Sequence, residues 1–123
     1  KNARAIAGLS MGGYHTLHIS RYYPNTFGYV GLFSAAIMPD QKHADSPVYQ
    51  DVEETLKKQH ENGYSIYWIA IGKDDFLYKA NAQYRALLDK IDMPYIYRES
   101  GGGHTWANWR IYLSEFVPML FKK

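Results

Sequence analysis

Four short apolar runs, each followed by a stretch with helical spacing, leave this chain few folds to adopt. The runs are Arg4 to Ala7, Tyr29 to Ser34, Ile66 to Ile71 and Tyr95 to Arg98. The second and third are close to continuously apolar and rich in β-branched and aromatic residues, as strands buried on both faces of a parallel sheet should be. Between and after the runs, Tyr14 to Tyr23, Tyr49 to Glu61, Tyr78 to Ile91 and Trp106 to Leu120 are each long enough for a helix. In the third stretch Ala80, Tyr84, Leu87, Leu88 and Ile91 recur at helical spacing, with Lys79, Arg85, Asp89 and Lys90 for the other face. Pro24-Asn25, Asn62-Gly63 and Asp92-Met93-Pro94 mark where the first three helices stop. The expected fold class is therefore α/β: an open parallel sheet with right-handed crossovers, helices on both faces and an active site at the carboxyl ends of the strands. Met38 to Pro47, polar and with two prolines, reads as a longer loop at one strand end.

With 123 residues, the chain is expected to form a single domain, 1–123, able to bury a core without disulfides. The absence of cysteine excludes a thiolate nucleophile, a Cys-containing zinc site and a disulfide scaffold. A formal charge of +2, from 14 basic and 12 acidic side chains spread along the chain, is no footprint for nucleic acid or anionic lipid. No apolar stretch is long enough for a membrane span, and Lys1 to Arg4 lack the apolar core of a signal peptide. The 12 Tyr and 3 Trp suit either a tyrosine-rich core or a surface that stacks on rings or sugars.

Directly after the first run stands Gly8-Leu9-Ser10-Met11-Gly12-Gly13, a G-x-S-x-G pattern between strand and helix. A turn sharp enough to strain a serine at its tip needs small residues two before and two after, so that neighbouring backbone does not collide. Such a turn lifts the Ser10 hydroxyl from the sheet. It also aims the first N–H groups of the helix, that of Met11 among them, at the same point as oxyanion donors. Serine is a poor nucleophile alone and needs a histidine base and an acid, in the chain order serine, acid, histidine. Gly72-Lys73-Asp74-Asp75-Phe76 follows the third run and places two carboxylates at a strand end. Ser100-Gly101-Gly102-Gly103-His104-Thr105-Trp106 follows the fourth and places a histidine just ahead of the last helix. Taken singly, Asp74 and Asp75 read as first-turn acids of a helix and His104 as a capping residue. In this order at three successive strand ends, they read as a catalytic set.

The other histidines carry plainer readings. His15 and His18 lie three apart on one helix, but no Asp, Glu or third His accompanies them nearby, and no metal is expected. His43 lies in the polar loop, and His60 near a helix C-terminus, where a partly charged imidazole suits the dipole. Tyr22, Tyr23, Tyr64, Tyr67 and Trp68 read as packing. Gly101 to Gly103 lead to a histidine, not to a phosphate-cradling Lys-Ser, and no cofactor is expected.

The strings GLSMGGY, GKDDFLY and GGGHTWANWRIYL together resemble the esterase D-like branch of the α/β-hydrolases. The resemblance is greatest to the feruloyl and acetylxylan esterases of carbohydrate esterase family 1, often attached to bacterial xylanases. It implies Ser10 as nucleophile, His104 as base and Asp75 as acid, because the family acid usually follows Gly by three positions and precedes a pair such as Phe76-Leu77. Asp74 is the alternative acid. The implied activity is a serine carboxylester hydrolase that releases hydroxycinnamoyl (feruloyl) or acetyl groups from plant cell-wall polysaccharide such as xylan, or from a small ester. Trp106 is then a candidate for a phenolic pocket, and a secreted or periplasmic location is implied. Formylglutathione hydrolases typically carry His where Leu9 stands, which counts against that activity. Acyltransferases and siderophore esterases share the architecture, and a non-catalytic carbohydrate-binding fragment is the alternative from another class.

The resemblance covers only the second half of that fold, strands five to eight. The chain is therefore expected to be the C-terminal portion of a longer catalytic domain. Alone it would lack the second oxyanion donor and hydrolyse weakly or not at all. Its first strand would present a free edge that invites homo-oligomer pairing.

Overall fold

The computed structural model describes residues 3–36 and 52–121. Four parallel strands, β1 (Ala5–Leu9), β2 (Tyr29–Phe33), β3 (Ile66–Gly72) and β4 (Ile96–Ser100), form one sheet in the order β1-β2-β3-β4. They are joined and followed by α1 (Met11–Tyr22), α2 (Val52–Asn62), α3 (Tyr78–Lys90) and α4 (Trp106–Phe116). The register pairs Leu9 with Phe33, Phe33 with Ala70, and Gly72 with Ser100, so the strands end close to one level. That level is where the loops carrying Ser10, Asp75 and His104 emerge.

Alternation along β2 and β3 divides the core in two. Val30, Leu32, Tyr67 and Ile69 pack with Leu17 of α1, Leu56 of α2 and Tyr84 and Leu88 of α3. Tyr29, Phe33, Trp68 and Ala70 pack with Tyr112 and Phe116 of α4 on the opposite face. Every residue of β2 is buried, as the continuous apolar run requires. Helices therefore cover both faces, three against one. Burying Tyr112 and Phe116 contributes roughly 1.5–3 kcal/mol each and fixes α4 across β2 and β3. No helix among the described residues is long and apolar enough to cross a membrane.

The element boundaries differ from expectation in instructive places. α1 begins at Met11 rather than Tyr14, because the chain turns at Ser10 in one residue and takes up helical geometry at once. α4 stops at Phe116 rather than Leu120, and Val117–Met119 form a single 3-10 turn. Pro118 is the cause: it has no N–H to donate, and its ring clashes with the preceding turn. Two of the three stop signals act through positive φ. Gly63 ends α2 at φ 82, with its N–H on the His60 carbonyl, and Asp92 follows α3 at φ 55. β4 runs two residues past its apolar run, to Ser100. The expected loop Met38 to Pro47 and the start of the second helix at Tyr49 lie outside the described residues.

Candidate active site

Ser10 sits between the last residue of β1 and the first of α1 with φ 52 and ψ −117. A non-glycine residue in this region costs of order 1–3 kcal/mol and persists only where its surroundings hold it. Here the Ser10 N–H donates to the Phe33 carbonyl at 3.0 Å, and the Ser10 carbonyl accepts from Ala36 at 3.0 Å and Tyr14 at 3.2 Å. The turn also needs close approach of strand and helix. A Cβ on Gly8 would lie 2.2 Å from the Gly12 carbonyl oxygen, and one on Gly13 would lie 2.5 Å from Ala35 Cβ. On Gly12 it would meet nothing within 4 Å among the described residues. The expected crowding two residues before the serine is present at Gly8; after the serine, the described residues crowd Gly13 and do not reach Gly12.

The structure brings Ser10, His104 and Asp75 together. Ser10 Oγ lies 3.0 Å from His104 Nε2, and His104 Nδ1 lies 2.9 Å from Asp75 Oδ2. The Asp75 side chain is wholly buried, whereas that of His104 keeps 20% exposure toward the site. The other carboxylate oxygen, Oδ1, accepts the Leu77 N–H at 2.9 Å, so the Asp75 carboxylate both faces His104 and shapes the turn before α3. A carboxylate opposite Nδ1 fixes the ring proton there and leaves Nε2 free to accept the Ser10 hydroxyl proton. Phe76 and Trp109 flank the imidazole with ring centroids 4.8 and 4.9 Å away, and restrict its tilt.

The remaining candidates fall as follows. Asp74 is exposed, and its N–H donates to the Gly102 carbonyl at 3.0 Å; the carboxylate on His104 is that of Asp75. The Met11 N–H belongs to the first turn of α1, where helix geometry supplies no intrahelical acceptor. Trp106 is 66% exposed and packs edge-on against Trp109. It borders an apolar cavity of about 250 Å³ lined also by Leu9, Phe33 and Leu113. His18, on the buried face of α1, accepts at Nδ1 from Arg21 Nε at 2.9 Å. Burial first, then the charges of Arg21 and His15, push its pKa down to about 4. Among the described residues no three His, Asp or Glu side chains converge as metal ligands would.

Two supports around the site were not visible as motifs. Glu99 of β4 accepts the hydroxyls of Tyr78 and Tyr97, both at 2.6 Å, which holds its carboxyl below the usual carboxylate range. Tyr78 is the first residue of α3, so this bond ties β4 to the helix that follows Asp75. Asn108, buried in the first turn of α4, donates to two carbonyls of the glycine loop ahead of His104. An asparagine just inside a helix that follows a glycine run is the one trace it leaves in the sequence.

Known proteins resemble this chain in sequence and in fold. A family model described as "Putative esterase" matches residues 1–120. An acetyl esterase of Caldicellulosiruptor saccharolyticus is 29% identical over an alignment covering 95% of this chain and 54% of that protein. The structure of a ferulic acid esterase superposes with a TM-score of 0.78 at 24% identity, over 95% of this chain and 50% of that one. An S-formylglutathione hydrolase from Staphylococcus aureus superposes with a TM-score of 0.75 at 26% identity, over 96% and 51% of the two chains. The chain thus spans about half the length of each of these relatives. The sheet and helices are those of an α/β-hydrolase fold.

Proposed function

The chain belongs to the Esterase family, and from that premise we propose that it carries the catalytic set of a serine carboxylester hydrolase. The observation that carries this reading is the relay Asp75–His104–Ser10, with both hydrogen bonds at 2.9–3.0 Å and the serine at a strained turn on a helix N-terminus. Ser10 Oγ attacks the ester carbonyl carbon while His104 Nε2 takes the hydroxyl proton. Asp75 holds the imidazole and stabilises the charge it gains. The carbonyl electron pair moves onto oxygen, where the Met11 N–H and the positive end of α1 stabilise it. Collapse breaks the bond to the leaving alkoxide, which receives the proton from His104 and departs as the alcohol. Water then repeats the sequence on the acyl-Ser10 ester and releases the carboxylic acid.

For the substrate we propose acyl groups, hydroxycinnamoyl or acetyl, esterified to polysaccharide. Two features support this: the relatives include an acetyl esterase and a ferulic acid esterase, and exposed rings stand around the site. Phe76 is 76% exposed beside His104, and the exposed Trp106 lines part of the apolar cavity. Such rings stack on a phenolic acid or on the apolar face of a sugar.

Fluorophosphonate labelling tests the chemistry, since the reagent captures only an activated serine. The chain is expected to label at Ser10, and Ser10→Ala and His104→Ala to lose the label. Because labelling needs only the activated serine and no turnover, slow labelling fits a chain that hydrolyses weakly or not at all; equal labelling of Ser10→Ala, or no labelling of the parent chain at high reagent and long incubation, would overturn the proposal. A panel of p-nitrophenyl acetate, methyl ferulate and acetylated xylan tests the substrate class. Turnover of the first alone would leave an esterase and remove the polysaccharide.

A further inference from the structure

We propose that Asn108 is a positioning residue, which sets His104 against Asp75 and Ser10 by clamping the glycine loop in front of the imidazole. The proposal rests on the esterase reading for its consequence in rate, but not for its geometry. His104 follows Gly101-Gly102-Gly103, three residues with no side chains of their own to anchor them. A glycine run loses more conformational freedom on ordering than any other sequence, so something outside it must hold it. Asn108 does so with both hydrogens of one amide nitrogen. Its Nδ2 donates to the Gly101 carbonyl at 3.0 Å and to the Gly103 carbonyl at 2.9 Å, from a side chain only 8% exposed.

The carbonyl between these two is held from the other side. Gly102, at φ 77, turns its oxygen away from the amide to accept the Asp74 N–H at 3.0 Å. One residue pair further back, the Lys73 N–H donates to the Ser100 carbonyl at 2.9 Å. The acid loop and the base loop are therefore laced to each other, and Asn108 closes the lacing beneath His104. The approach is tight: a Cβ on Gly72 would lie 2.2 Å from the Gly102 oxygen and 2.9 Å from Asn108 Nδ2. If the amide is lost, the Gly101 carbonyl keeps only the Ser100 hydroxyl at 2.9 Å and the Gly103 carbonyl only the Thr105 N–H at 3.0 Å, both donors from within the loop itself, so the tie to α4 is broken, the loop relaxes and the imidazole drifts. A misplacement near 1 Å in a hydrogen-bonded catalytic set costs on the order of a hundredfold in rate.

Asn108→Asp tests this with almost no change of shape, because a carboxylate keeps the volume but cannot donate to either carbonyl. Asn108→Ala removes the group altogether. Two readouts are taken on the 123-residue chain. The first is the ¹⁵N spectrum of the histidine rings, in which the parent is expected to show His104 as a single tautomer with its proton on Nδ1. Both variants are expected to show the averaged tautomers of a freely moving imidazole, with the backbone amide spectrum of β1 to β3 unchanged. The second is the rate of fluorophosphonate labelling, which needs no turnover and is expected to fall about 10- to 100-fold.

A parent His104 already averaged between tautomers would overturn the proposal, as would variants that keep the single tautomer. Variants that both fail to fold would overturn it too, since the amide would then be holding the fold rather than the imidazole. A parent that keeps the single tautomer but never labels would sink the esterase reading and leave the positioning role standing, because the ring spectrum needs no turnover.

Discussion

The glycines around Ser10 divide into those the turn cannot lose and one it can spare, and Gly8→Ala against Gly12→Ala separates them. A methyl on Gly8 would sit 2.2 Å from the Gly12 carbonyl oxygen, 2.3 Å from its carbon and 2.8 Å from Thr16 Oγ1. Real Cβ atoms keep at least 3.0 Å, so β1 and α1 must part by about 0.8 Å. Two of the three atoms are helix backbone, and Thr16 Oγ1 is itself tied to the Gly12 carbonyl at 2.8 Å, so the strand cannot be accommodated by a rotamer change. Overpacking of this kind costs about 1–3 kcal/mol, and an unyielding backbone puts Gly8→Ala at the upper end. The same displacement moves Ser10 Oγ relative to His104 Nε2, now 3.0 Å away, and should slow fluorophosphonate labelling about a hundredfold. Gly12→Ala, whose methyl meets nothing within 4 Å among the described residues, should gain about 0.5–1 kcal/mol from helix propensity. Urea unfolding and the labelling rate, measured on both variants, give the answer. A Gly8→Ala chain as stable and as reactive as its parent would refute the steric reading, and so would a Gly12→Ala chain that loses as much stability as Gly8→Ala.

Two further predictions concern the core. His18 is held neutral when folded, with its pKa near 4 against 6.5 for the free side chain. The unfolded chain therefore binds its proton first, so this contribution to stability is complete above pH 6.5 and shrinks as the pH falls toward 4. At 1.36 kcal/mol per pKa unit the limit is about 3 kcal/mol, and His18→Gln should flatten the fall in urea midpoint between pH 7 and pH 4. A midpoint that falls equally in both chains would show that other groups cause it. Tyr67 and Tyr84 share a hydroxyl–hydroxyl bond in the core, and burial pushes both pKa values well up. Tyr84→Phe strands the Tyr67 hydroxyl and should cost about 1–3 kcal/mol, and the Tyr67→Phe/Tyr84→Phe pair should cost less than the sum of the singles. Thermal or urea unfolding of the four chains tests this, and strict additivity would refute the coupling.

What could be read from the chain follows from where burial speaks. β2 and β3 were legible because both their faces are covered, and continuous burial writes itself as Tyr-Val-Gly-Leu-Phe and Ile-Tyr-Trp-Ile-Ala-Ile. The apolar signal fades at β4, an outer strand, where Glu99 and Ser100 spend their side chains on Tyr78, Tyr97 and Tyr112 instead of on a core. Yet those are the two residues that carry β4 up to the level of Gly72, and so set the height from which the glycine loop leaves for His104.

The choice between Asp75 and Asp74 has the same character. Nothing in residue type separates two neighbouring aspartates. The turn separates them, by returning the Asp75 N–H to the Gly72 carbonyl and spending the Asp74 N–H on Gly102, which leaves one carboxylate buried and facing His104 and the other exposed. Periodicity locates strand ends, and a strand end narrows a site to a few residues. Which of them meet is decided by backbone hydrogen bonds between loops, and those bonds leave glycines and a buried asparagine as their only mark on the sequence.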